Sequence, residues 1–113
     1  MTRHELLVLK MPFEDDNGRS WFCTHCALIE GALAVNPHWA EEIQIHRIAA
    51  AHPRQELIER LGEEFHWLPA LVLAIGTKPP MDASIAAGRA YFTDPVLITK
   101  FLAEAYGGAA PHP

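Results

Sequence analysis

The chain has 113 residues, half of them hydrophobic and a fifth charged, with a net charge of −5. That length suits one globular domain and is too short for two well-buried ones. The acidic balance, with no cluster of Lys and Arg, argues against a nucleic-acid binder working through a basic stripe. No apolar run approaches the ~18 residues that span a bilayer, and the run Leu6 to Leu9 is too short for a signal-peptide core. The expected setting is cytoplasmic, with no membrane or nucleic-acid partner.

Glu5 to Lys10 reads as a short buried strand, ended by Pro12. A polar loop follows from Phe13 to Ser20, in which Asn17-Gly18 marks a tight turn. Its carboxylates, Glu14, Asp15 and Asp16, have the wrong spacing for a calcium loop. From Thr24 the pattern turns helical, with Cys26, Ile29 and Leu33 near the 3.6-residue period, Glu30 as the only charge, and Asn36-Pro37 as the stop. Glu42 to Ile48 alternates polar and apolar residues and predicts a strand covered on one face. Pro53 to Glu64 predicts an amphipathic helix with Pro53 in its first turn, a Leu57, Ile58, Leu61 stripe, and Gly62 at its end.

Leu68 to Ala74 predicts a second buried strand, opened by Pro69. Gly76 to Pro80 reads as a turn, and a strand near Gly88 to Phe92 completes a hairpin with the one before. Asp94 as N-cap and Pro95 at the first helical position begin the last helix, whose apolar face carries Val96, Ile98, Phe101, Leu102 and Ala105. Gly107-Gly108 ends it. The expected domain is 1–108, with 109–113 a flexible tail. The order β-α-β-α-β-β-α predicts an α/β domain, a mixed sheet of about four strands with helices on both faces.

The only two cysteines are Cys23 and Cys26, bracketing Thr24-His25 at the predicted start of the first helix. The unpaired N–H groups and positive dipole end of a first helical turn favour thiolate over thiol. The spacing lets the sulfurs bond. Cys23 is expected to be the outer, attacking thiol and Cys26, followed by Ala27-Leu28-Ile29, the resolving one. A protonated His25 would stabilise a neighbouring thiolate and so make the disulfide a better oxidant. Two inert core cysteines, or a metal site, are the competing readings. Zinc usually takes four ligands. A second Cys pair is absent, and the histidines that could contribute are His25, His46, His52 and His66. Zinc or an iron–sulfur cluster bridged between two chains therefore stays open as an alternative, as does an interaction domain without catalysis.

The succession of strand, Cys-x-x-Cys at a helix start, strand, helix, Trp67-Leu68-Pro69 before a buried strand, hairpin and helix resembles the thioredoxin-like superfamily over nearly the whole chain. The stretch Cys23 to Gly31 is also similar to an uncharacterised bacterial family of thioredoxin-like proteins. The resemblance implies a thiol–disulfide oxidoreductase acting through Cys23 and Cys26, with Pro69 a cis-proline facing them and His25 placed as in disulfide-isomerising members. It implies substrate contacts at Trp21, Thr24, Leu68 and Pro69. By analogy with glutaredoxin-like members, Thr93 and Asp94 would join Leu68 and Pro69 in holding glutathione. The implied substrate is a protein disulfide or glutathione mixed disulfide, with no other cofactor and no metal. Three features depart from the family pattern, one of them the long acidic loop, with Glu14, Asp15 and Asp16, between the first strand and the cysteines. Trp21 stands one residue further from the first cysteine, and Leu6 to Leu9 lacks the buried aspartate of thioredoxins.

Overall fold

The structure, a computed structural model, describes residues 3–113; the first two residues of the expected domain lie outside them. Seven strands and three α-helices are present among the described residues: β1 Glu5–Leu9, β2 Phe13–Glu14, β3 Ser20–Trp21, α1 Thr24–Val35, β4 Gln44–Ile48, α2 Gln55–Leu61, β5 Ala70–Val72, β6 Ser84–Ala86, β7 Arg89–Phe92 and α3 Pro95–Tyr106. A 3₁₀ turn, Pro37–Glu41, links α1 to β4. The main sheet runs β4-β1-β5-β7-β6, with β1 parallel to β4 and every other neighbour antiparallel.

β1 is central because its side chains suit both faces. Leu6 and Val8 enter one cluster, with Cys26, Ile29 and Leu33 of α1, Leu71, and Ile98 and Leu102 of α3. Leu7 points the other way, to Ile48, Val72, and Leu57 and Leu61 of α2. Helices therefore flank both faces, with the period-2 alternation of β1 and β5 dividing the core. α2 has only seven residues, too few to be stable alone. Burying Leu57 and Leu61 stabilises it by ~1.5–3 kcal/mol each.

Three expectations are corrected. The sheet has five strands rather than four, because Ser84–Ala86 forms an edge strand that the sequence pattern did not reveal. This strand, not β5, makes the hairpin with β7. Its two-residue turn is Ala87-Gly88, both with positive φ (50° and 75°), the geometry that matches strand twist. β5 still pairs with β7, but as a sheet neighbour across a long connection. Pro53 lies before α2 rather than in its first turn. The guanidinium of Arg54 donates to the carbonyls of Ala50 and His66, holding the backbone ahead of Gln55 in a non-helical conformation. The polar loop also contains a small hairpin, β2 with β3.

The segment expected to be a free tail begins docked. The buried Asn36 side chain donates to the Ala109 carbonyl at 3.2 Å and accepts from the Ala109 N–H at 2.7 Å. The buried Trp39 donates its indole N–H to the Gly107 carbonyl at 2.8 Å. Gly108 sits between these anchors at φ +104°, and a Cβ there would collide with Asn36 Oδ1 and stand 2.9 Å from His38 Cε1. Gly108→Ala is therefore expected to cost more than ~1 kcal/mol, since strain and collision add. A urea midpoint unchanged from the parent chain would refute this account of the junction.

At the end of β1 away from the cysteines, Glu5 accepts from Arg60 Nε at 2.9 Å and Nη2 at 3.1 Å, and pairs with His46 at 3.3 Å. The Arg60 hydrogen bonds, opposed in part by burial, hold the Glu5 carboxyl below its ordinary value of 4.5. A depressed carboxylate pKa contributes stability above the unfolded value and loses it as pH falls through the folded one. Urea midpoints measured from about pH 6 down to about pH 3 should fall less steeply in Glu5→Gln than in the parent. Parallel curves would mean that Glu5 carries no pH-dependent stability.

Candidate functional site

The two cysteines sit where β1 ends and α1 begins. Cys23 is the N-cap of α1, in extended conformation, and its Sγ accepts the Cys26 N–H at 3.3 Å. A sulfur thus does what a serine or aspartate oxygen does at an ordinary N-cap, satisfying one of the helix's orphan donors. No acidic residue lies in the first turn, so nothing there offsets the positive end of the helix dipole. Cys26, one turn in, is fully buried. Its Sγ accepts the Leu9 N–H at 3.5 Å. The cysteines lie 3.4 Å apart and are not bonded to each other.

Their environments differ. Burial above all pushes the Cys26 thiol up to about 12, only partly opposed by the Leu9 N–H and reinforced by the neighbouring Cys23. Cys23 is half-buried and packs against the same cluster, as do Met11 and Leu68. The Cys23 N–H donates to Met11 Sδ at 3.2 Å. Met11 was not expected at the site. Its only sequence signal is its place just past the end of β1, which fixes no direction for the side chain.

Beside the cysteines lies a cleft of about 570 Å³ whose walls include His25, Leu28, Trp67, Leu68, Thr93 and Asp94. Four residues expected at the site, His25, Leu68, Thr93 and Asp94, therefore share one cleft although they come from three separate parts of the chain. The Leu68–Pro69 peptide is cis, as expected, and Pro69 is buried and does not line the cleft. Asp94 caps α3, accepting from the N–H groups of Val96 and Leu97. Trp67 is 56% exposed, but its ring is held by stacking on His66 at 4.3 Å and by the edge of Phe65 at 5.2 Å. It forms a fixed aromatic wall.

Trp21 is not among these residues. Its indole N–H donates to Asp15 at 2.9 Å, and the Arg19 guanidinium lies 4.6 Å above its ring. Those contacts bind it into the β2–β3 hairpin. Thr24 is exposed as the first residue of α1 and does not line the cleft. Leu28 and Val96, which do, were expected only as members of helical segments. His46 pairs with Glu5 far from the sulfurs, and among the described residues no group of three or more His, Cys, Asp and Glu could hold a metal ion. No helix among the described residues is long and apolar enough to cross a membrane.

Iodoacetamide at about pH 7 should label Cys23 in the folded chain more than ~tenfold faster than Cys26, because burial keeps Cys26 protonated and out of reach. Equal and slow labelling of the two, read by mass spectrometry, would identify both as inert core residues.

No curated protein and no solved structure matches the chain. A family model described as a protein of unknown function, DUF3088, matches residues 3–110, which take in the sheet, all three helices and both cysteines, and the chain belongs to that family.

Proposed function

We propose that the chain is a thioredoxin-like thiol–disulfide oxidoreductase acting on protein or glutathione mixed disulfides in a reducing, cytoplasmic setting. The observation that carries this reading is the asymmetry of the pair. One sulfur is half-exposed at a helix N-terminus, and the other is buried 3.4 Å away with its thiol pushed up to about 12. The strand order β4-β1-β5-β7 and helices on both faces support the same fold relationship, with β6 as an added edge strand.

The Cys23 thiolate attacks one sulfur of the substrate disulfide. That bond breaks, the first substrate thiolate leaves, and Cys23 is held in a mixed disulfide. Cys26 keeps its proton while it is buried, so it does not compete as a nucleophile in this step. It then gives its proton to the departing thiolate and attacks Cys23 Sγ. The second substrate thiolate leaves, and a Cys23–Cys26 disulfide forms. Two electrons pass from the pair to the substrate, and a dithiol or two small thiols restore the reduced chain. The α1 N-terminus favours the anionic sulfur at the start of this sequence. His25, on the cleft wall, is the residue expected to tune it. The cleft beside Cys23 receives the part of the substrate flanking its disulfide, against Trp67, Leu68 and Leu28.

The test is trapping. Cys26→Ser, treated with glutathione disulfide, should accumulate one glutathione per chain on Cys23. Cys23→Ser should accumulate none, and the parent chain should form only the internal disulfide. Failure of Cys26→Ser to form the adduct would overturn the reading.

A further inference from the structure

We propose that the reduced chain holds a single copper(I) ion through three sulfurs, Cys23 Sγ, Cys26 Sγ and Met11 Sδ. The proposal rests on the three-sulfur juxtaposition and does not depend on disulfide exchange.

Met11 and the two cysteines meet at the end of β1, with Met11 Sδ held against the backbone of Cys23. Met11 Sδ lies 3.2 Å from the Cys23 N–H, the cysteines are 3.4 Å apart, and Met11 and Cys23 pack side by side on the cluster that buries Cys26. A thioether sulfur has two lone pairs, so the hydrogen bond it accepts leaves one for a metal. Two thiolates and a thioether form a soft donor set, of the kind that suits copper(I), zinc and iron–sulfur centres. Zinc is served poorly here. It wants four N, O or thiolate ligands, and no group of three or more His, Cys, Asp and Glu is gathered among the described residues. Copper(I) is satisfied by fewer ligands and accepts a thioether. A methionine outside the Cys-x-x-Cys motif therefore changes which metal the pair suits, without a second chain.

The surroundings fit an anionic copper–thiolate centre. Binding joins one copper(I) ion to two thiols, forms two Cu–S bonds and releases two protons. Met11 adds a neutral ligand, and no electron changes hands. The centre carries one net negative charge. Leu9 and Cys26 already aim backbone N–H groups at the two thiol sulfurs, and the positive end of α1 adds to them. Burial of Cys26 keeps water from the inner side, whereas the half-open position of Cys23 gives the ion a way in. Because protons leave, affinity must rise with pH. Copper(I) and the internal disulfide exclude each other, since both use the same two sulfurs.

The experiment is anaerobic titration of the reduced full chain with copper(I) buffered by bicinchoninate, with X-ray absorption on the loaded protein. The expected result is one copper per monomeric chain, with a shell of three sulfurs. Met11→Leu, a substitution of similar volume that the site should tolerate, should weaken binding by ~10-fold or more and reduce the shell to two sulfurs. One copper per two chains in a dimer would overturn the proposal. So would a two-sulfur shell in the parent chain, or unchanged affinity in Met11→Leu. Copper binding with three sulfurs in a chain that traps no mixed disulfide would sustain this proposal and remove only the exchange reading.

Discussion

The Leu9 N–H meets the Cys26 sulfur across 3.5 Å at the end of the central strand, and much of the molecule is arranged around that junction. β1 is flanked by β4 and β5 and buried on both faces, so its direction is set by two ladders at once. Where it stops, α1 must start close by, because Cys26, Ile29 and Leu33 pack on the same face as Leu6 and Val8. The buried cysteine is thus a core residue first. Its place in the packing is what raises its thiol and leaves Cys23 alone at the open end.

The two sulfurs are chemically unequal although they stand three residues apart. A helix start ordinarily offers its N–H groups to water or to an oxygen side chain; here a sulfur takes that place. One turn further in, the same helix has buried its inner face. Step by step along α1 the environment passes from solvent to core, and a Cys-x-x-Cys spacing spans that gradient once. The neighbouring cleft follows from the same layout. The start of α1, the turn before β5 and the start of α3 all open at the same end of the sheet's inner strands, and His25, Leu68 and Asp94 come from those three places.

The far end of the molecule is held by different means. Asn36, His38 and Trp39, just past the end of α1, reach the backbone of residues 107–109 just past the end of α3. Two parallel helices on one face are thereby tied at their C-terminal ends. Gly108 is the residue that lets the chain pass between those side chains. This anchoring keeps α3 seated, and with it the position of Thr93 and Asp94 on the cleft.

The chain alone was enough to mark the elements whose signals are local. The apolar run of β1, the period of α1, the Asp94-Pro95 start of α3, Gly62 at the end of α2 and the Cys-x-x-Cys at a helix start all rest on neighbours within a few residues, and each is present. The gathering of His25, Leu68, Thr93 and Asp94 was anticipated only through a family resemblance. What stayed hidden depends on which side chains and strand edges meet in the packed chain, over short separations as well as long ones. β6 is three residues long, on a sheet edge, and lacks a pattern of its own. Trp21 was drawn into the hairpin by Asp15 and Arg19 rather than toward the cleft. Met11 met Cys23, and Asn36 met Ala109 across 73 residues. Local propensity sets the backbone over one or two turns, but a side chain's partner is chosen by which surfaces the packed sheet brings together. Only the tertiary structure therefore decided that a methionine stands at the cysteine pair and that the last helix is tied to the first.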